Sequence, residues 1–166
     1  MNDLRCKKAV LGGTFSLLHE GHKHFLSKAI ESASELVIGI SSDTFIAKLS
    51  KNHPVEDYES RAVRVLLFCL NYVREGQRVY IFPLDDRYGP ATKDPELDCI
   101  VLSEENRRLL KKINKIRALR GLKPLKAIVV NLLKIKGGVK LSSTLLWRLS
   151  LGEHQRCYVS EHKVPD

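Results

Sequence analysis

The chain lacks any apolar run close to the roughly 20 residues that a membrane-crossing helix needs, and its opening, MNDLRCKK, is polar where a secretory leader would be hydrophobic. No membrane anchor is expected, and the chain is read as cytoplasmic. Its four cysteines, Cys6, Cys69, Cys99 and Cys157, lie tens of residues apart. They form neither a paired metal-ligand spacing nor a dense disulfide framework, so buried, reduced thiols are expected. The zinc-protease helix motif is absent, because Lys23 occupies the position four after His19 where a second histidine is required. The nicotinamide-binding turn is absent too: Gly12 and Gly13 are adjacent, and the next glycine is Gly21. Acidic residues are scarce against basic ones, 19 to 28, and the resulting net charge of +9 favours anionic partners such as nucleotides, phosphorylated metabolites or nucleic acid.

What is present suits one folded α/β domain over residues 1–166, with about 153–166 as a polar tail. Apolar residues make up 43% and charged residues 28% of the 166 positions, the balance of an ordinary globular protein. Five short segments rich in Val, Ile, Leu and Tyr read as strands: Lys7 to Leu11, Glu35 to Ser41, Arg78 to Leu84, Asp98 to Leu102 and Ala127 to Ile135. Most lack polar alternation, which predicts a parallel five-stranded sheet covered by helices on both faces. Helical periodicity fills Glu20 to Ala33, Tyr58 to Arg74 and Glu104 to Arg120, and Ser142, Ser143 and Thr144 offer caps for a last helix. In the second of these helices Ala62, Val65, Leu66, Leu70 and Val73 are expected on the buried face. A parallel sheet of this kind binds ligands beyond the carboxyl ends of its strands.

The most informative stretch, VLGGTFSLLHEGHKHFL from Val10 to Leu26, begins where the first strand should end. Gly12 and Gly13 allow a phosphate chain to approach the backbone, and Thr14 adds a hydroxyl. His19 and His22, three apart at a helix start, project to nearly the same side. Gly21 between them leaves the approach open, and the helix N-terminus favours an anion. The group as a whole is read as a polyphosphate site, whereas His24 lies outside it and is read as a surface residue.

These residues resemble the HxGH nucleotidyltransferase superfamily. GGTFSLLHEGH, GISSDTFIAK, YGPATKDPELDCIVLSEEN, INKIRALRGLKPL and KLSSTLL, in that order, are most similar to the phosphopantetheine adenylyltransferases of the archaeal and eukaryotic type. The resemblance implies a Rossmann-like nucleotidyltransferase domain that moves AMP from ATP to 4′-phosphopantetheine, giving dephospho-coenzyme A and pyrophosphate. It implies His19, His22 and Lys48 as catalytic residues. ATP would be held by Gly12, Gly13, Thr14, His22, Ser142, Ser143 and Thr144, and the acceptor by Thr14, Lys48, Lys51, Tyr88 and Thr92, with Asp85 and Asp86 orienting the loop around Tyr88. Magnesium would arrive with ATP, held by phosphates and water rather than by a dedicated protein site. One departure stands out: many members carry an arginine three positions beyond the threonine, where this chain has Trp147, with Arg148 one place later.

Other readings of the same residues keep the nucleotidyl transfer but change the acceptor, to nicotinamide mononucleotide or glycerol 3-phosphate. A reading of another class is a nucleic-acid-binding module using the nine basic residues between Arg107 and Lys126. That stretch has no interleaved aromatics for base stacking, so a solvated helix surface is expected there. Asn114 and Arg117, on the same helix, serve either the site or packing, and Arg61 is expected to pair with Glu59 or Asp57. No pattern specifies an oligomeric state.

Overall fold

The computed structural model describes residues 6–49, 53–134 and 138–150. Strands β1 (Cys6–Gly13), β2 (Ala33–Ser41), β3 (Arg78–Leu84), β4 (Cys99–Ser103) and β5 (Lys126–Val130) form one parallel sheet in the order β3-β2-β1-β4-β5. Helices α1 (Glu20–Ser32), α2 (Asp43–Lys48), α3 (Tyr58–Leu70), α4 (Arg107–Leu119) and α5 (143–150) connect and cover it. Successive connections run outward from β1 to β3 on one side and from β4 to β5 on the other. The strand order therefore reverses between β1 and β4, which opens a crevice at their carboxyl ends.

Alternation along each strand explains the absence of polar faces. Ala9, Leu11, Leu36, Ile38 and Val101 pack against α1 and α3, while Val10, Val37, Ile100 and Leu102 pack with Ile113 of α4. Both faces are thus buried.

Several boundaries differ from expectation. Strand β5 ends at Val130, opposite Ser103, because its partner β4 ends there and no further ladder is available; Ile135 lies outside the described residues, as do Lys51 and the tail from 151. Helix α2 lies outside the helical segments expected from the sequence, and it is capped by Ser42 Oγ, which accepts from Phe45 N–H at 3.2 Å. On α3 the buried stripe is Arg61, Val65 and Cys69, so Leu66 and Leu70 face outward, 43% and 63% exposed. The stripe is turned because Arg61, fully buried, finds acceptors for its guanidinium. It donates to the carbonyls of Thr14 (3.0 Å), Ser41 (2.8 Å) and Glu56 (2.7 Å) and to Asp43 Oδ1 (2.8 Å), and not to Glu59 or Asp57.

The expectation of reduced thiols is corrected for two cysteines. Adjacent strands β1 and β4 bring Cys6 and Cys99 within 6.1 Å between Cα atoms, and they are joined in a disulfide across 93 residues of sequence. Cys69 is free and buried, and burial pushes its thiol up to about 11. No described helix is long and apolar enough to cross a membrane.

Candidate active site

The turn leaving β1 carries three non-glycine residues with positive φ: Phe15 (55°), Leu17 (60°) and Leu18 (25°). Such backbone costs of order 1–3 kcal/mol per residue and persists only where the surroundings enforce it. Three side chains, Glu56, Arg61 and Ser143, do so. Glu56 accepts from Ser16 Oγ at 2.8 Å and from Leu17 N–H at 3.0 Å, Arg61 holds the Thr14 carbonyl, and Ser143 Oγ donates to the Ser16 carbonyl at 2.8 Å. Burial alone would raise the Glu56 carboxyl, but hydrogen bonds from backbone amides, Ser16 and Arg64 hold it below the usual carboxylate range. The bond from Ser143 ties the first glycine-rich turn to the serine-rich start of α5, two segments 127 residues apart in sequence.

His19 caps α1, with its carbonyl accepting from His22 N–H at 2.9 Å, and the two imidazoles stack with centroids 3.8 Å apart and planes 19° apart. Phe15 meets the His22 ring edge-on at 5.4 Å. A Cβ on Gly21 would lie 3.0 Å from the His19 ring and 3.6 Å from the Leu141 carbonyl, so glycine is what lets the two segments close on each other. Both Nδ1 atoms are buried without a hydrogen-bond partner among the described residues. Burial pushes the His22 imidazole down to about 3, helped by His19 and Lys140, and burial with the Lys140 charge lowers His19. Both rings are neutral near pH 7.

This depression has a measurable consequence. The folded state resists protonating His22 while the unfolded chain protonates it near 6.5, so the contribution is fully present above pH 6.5 and is lost as pH falls toward 3. The loss amounts to about 3–5 kcal/mol from this group. Chemical denaturation of the native chain and of His22→Gln at several pH values should show a smaller acid slope in the variant over that window. Equal slopes would contradict the assignment.

The expected residues converge. Gly12, Gly13, Thr14, His19, His22 and the Ser142–Thr144 triplet line one cavity of about 370 Å³ at the carboxyl ends of β1 and β4. A second cavity of about 310 Å³ shares Gly12, Gly13, Thr14, Leu102 and Asn106 with it and extends toward Phe45, Leu49 and Tyr88. Asp86 orients the loop of that second cavity, accepting from the amides of Tyr88 (2.8 Å) and Gly89 (2.6 Å). Gly89 has φ 48°, and a Cβ there would collide with Leu84 at 2.3 Å.

Two expected site residues sit elsewhere. Lys48 is exposed at the end of α2 and lines neither cavity. Thr92 is buried away from both, its carbonyl and hydroxyl accepting from Arg120 at 2.9 and 3.3 Å. Trp147 and Arg148 also line neither. Asn114 and Arg117 serve packing: Asn114 brackets the Leu125 backbone, and Arg117, fully buried, donates to the carbonyls of Ala91, Asp94, Leu97 and Lys123. Sequence reasoning missed Phe15, His53, Asn106 and Lys140, which all line the larger cavity. Lys140 and Asn106 were visible in the KLSST and SEEN segments, whereas nothing near His53 marked it.

Comparison with known proteins matches residues 10–148 to the cytidylyltransferase-like family. Phosphopantetheine adenylyltransferase from Methanopyrus kandleri is 39% identical over 142 residues, spanning 86% of this chain and 89% of the relative. The chain belongs to the cytidylyltransferase-like family. Within that family, phosphopantetheine adenylyltransferase from Methanosarcina acetivorans is 36% identical over 90% of this chain and 92% of its own. A crystal structure of a protein of unknown function from Archaeoglobus fulgidus superposes with a TM-score of 0.64 at 28% identity, covering 81% of this chain and 99% of that one. The cytidylyltransferase-like assignment agrees with the parallel five-stranded sheet flanked by helices.

Proposed function

We propose that the chain transfers AMP from ATP to 4′-phosphopantetheine, releasing pyrophosphate and forming dephospho-coenzyme A in the cytoplasm. What carries the reading is the meeting of the glycine turn, the stacked histidines and the Ser142–Thr144 cap on one cavity, with a second cavity sharing the Gly12–Thr14 edge. The names of the archaeal relatives favour this acceptor over nicotinamide mononucleotide or glycerol 3-phosphate.

The chemistry is an in-line displacement. An acceptor phosphate oxygen attacks the α-phosphorus of ATP, the bond to the bridging oxygen breaks, and pyrophosphate leaves with the developing charge. No enzyme nucleophile is needed. Gly12 and Gly13 admit the phosphate chain, Thr14 sits on the edge common to both cavities, and the start of α5 offers N–H and hydroxyl donors to the outer phosphates. His22 and His19, neutral and half-buried in the cavity wall, donate to the α and β phosphates as charge grows. The apolar wall of Phe45, Leu49 and Leu84 suits a pantetheine arm.

The described lining of the larger cavity contains no Asp or Glu. The group of metal-type ligands Cys6, Asp98 and Cys99 lies at the opposite end of the sheet, with both cysteines in the disulfide. In this reading magnesium enters with the nucleotide, held by its phosphates and by water. Pyrophosphate release with 4′-phosphopantetheine, nicotinamide mononucleotide, flavin mononucleotide and glycerol 3-phosphate tests the reading. Turnover is expected with the first acceptor, and turnover confined to another would refute it.

A further inference from the structure

The cavity assigned to the triphosphate is poor in positive charge. Among its described lining residues, Lys140 alone carries a permanent cation, since burial holds the His19 and His22 imidazoles neutral. Lys140 sits two residues before Ser142, whose Oγ accepts from Leu145 N–H at 3.2 Å to cap α5. Its backbone is fixed by an antiparallel bridge to Lys134. Its ammonium pairs with Glu105, in the turn that follows β4. The side chains of Lys140 and Glu105 are 42% and 59% exposed, so the pair is an open, water-screened one that a stronger anion can displace.

We propose that Lys140 is the triphosphate-binding cation of this site, parked on Glu105 in the free protein and transferred to the β and γ phosphates when ATP enters. The proposal rests on the adenylyl-transfer reading above. Three observations support it. Lys140 lines the same cavity as the histidine pair and the α5 cap, its charge is felt at both imidazoles, and its present partner is a surface carboxylate rather than a buried one. The exchange moves no proton: the ammonium leaves one anion for another, and Glu105 returns to water. As the α-phosphorus bond breaks, the same ammonium faces the charge gathering on pyrophosphate. Glu105 then competes with that product for it.

The role differs from a structural one in which nucleotide it discriminates. AMP lacks the β and γ phosphates, so Lys140→Met should weaken ATP binding by about tenfold to a hundredfold, the range of a charge-assisted contact, and leave AMP binding within about twofold. Lys140→Arg should restore most of the ATP affinity. Glu105→Gln, which removes the competitor, should tighten ATP by about two- to fivefold without changing AMP.

Calorimetric titration of the full chain and these variants with ATP and AMP, alongside pyrophosphate release by the native chain, reads every arm. A native chain that turns over while Lys140→Met keeps the native ATP-to-AMP affinity ratio overturns the proposal and leaves the adenylyl-transfer reading intact. Should Lys140→Met lose its melting transition, Glu105→Gln decides: unchanged or weaker ATP binding overturns the proposal. A native chain that fails to bind ATP overturns both.

Discussion

Replacing His22 with alanine should lower turnover by about a hundred- to a thousandfold, the loss of about 2.7–4 kcal/mol that follows removal of one preorganised donor from an oxyanion-type site. The fold should survive, because His22 makes no hydrogen bond through its buried Nδ1 among the described residues and its ring lines a cavity, stacked on His19 and edge-on to Phe15. The signature is a fall in kcat with a much smaller change in KM for ATP, since a donor that tightens only as charge grows contributes little to the ground state. Steady-state pyrophosphate release, run beside a thermal melt, separates this from misfolding. A loss under tenfold would mean that His22 does not face the reacting phosphate.

The second large effect concerns Arg61, which touches no substrate in this account. Its guanidinium is fully buried and joins the β1 turn, the end of β2, the segment before α3 and α2 through four hydrogen bonds. Arg61→Leu would strip donors from three carbonyls, while Asp43, 58% exposed, keeps the Tyr58 N–H and gains water. Leaving these buried and part-buried carbonyls without donors costs about 1–3 kcal/mol each, about 3–5 kcal/mol together once their partial access to water is allowed for, or a melting temperature lower by roughly 6–20 °C for a chain of this size. Arg78→Gln is the matched control, because the Arg78–Glu35 pair, 66% exposed at the arginine, is of the surface kind worth at most about 1 kcal/mol. Calorimetric melts of both variants test the contrast. Equal shifts would show that the four contacts do not brace the turn.

Much of the site was legible because its signals are local. The spacing of His19 and His22, the glycine between them and the Gly-Gly-Thr turn act within one helical turn and one loop, so sequence distance and spatial distance agree. The strands were legible because burial on both faces leaves continuous apolar runs. What escaped depends on long-range pairing. Strand order brought Cys6 to Cys99, and only the partner's end set the limit of β5 at Val130. Arg61, expected to pair with Glu59 or Asp57, and Arg117, left open between the site and packing, each sit at a helix position four from an apolar core residue, Val65 and Ile113, and are satisfied by carbonyls that only the folded chain assembles. Thr92 and Lys48 were assigned by family likeness, and neither lines either of the two cavities of the site. Helix α2 could have been found, since Ser42 followed by Asp43 is a helix-start pattern.

A crystal structure of the chain with a non-hydrolysable ATP analogue and magnesium reaches the core of this account directly. The triphosphate should lie against the Gly12–Thr14 backbone, with ring nitrogens of His19 and His22 within hydrogen-bond distance of the α and β phosphates and the α5 N-terminus on the outer ones. Nucleotide density at any other surface, with the two imidazoles still stacked on each other and unengaged, would contradict it.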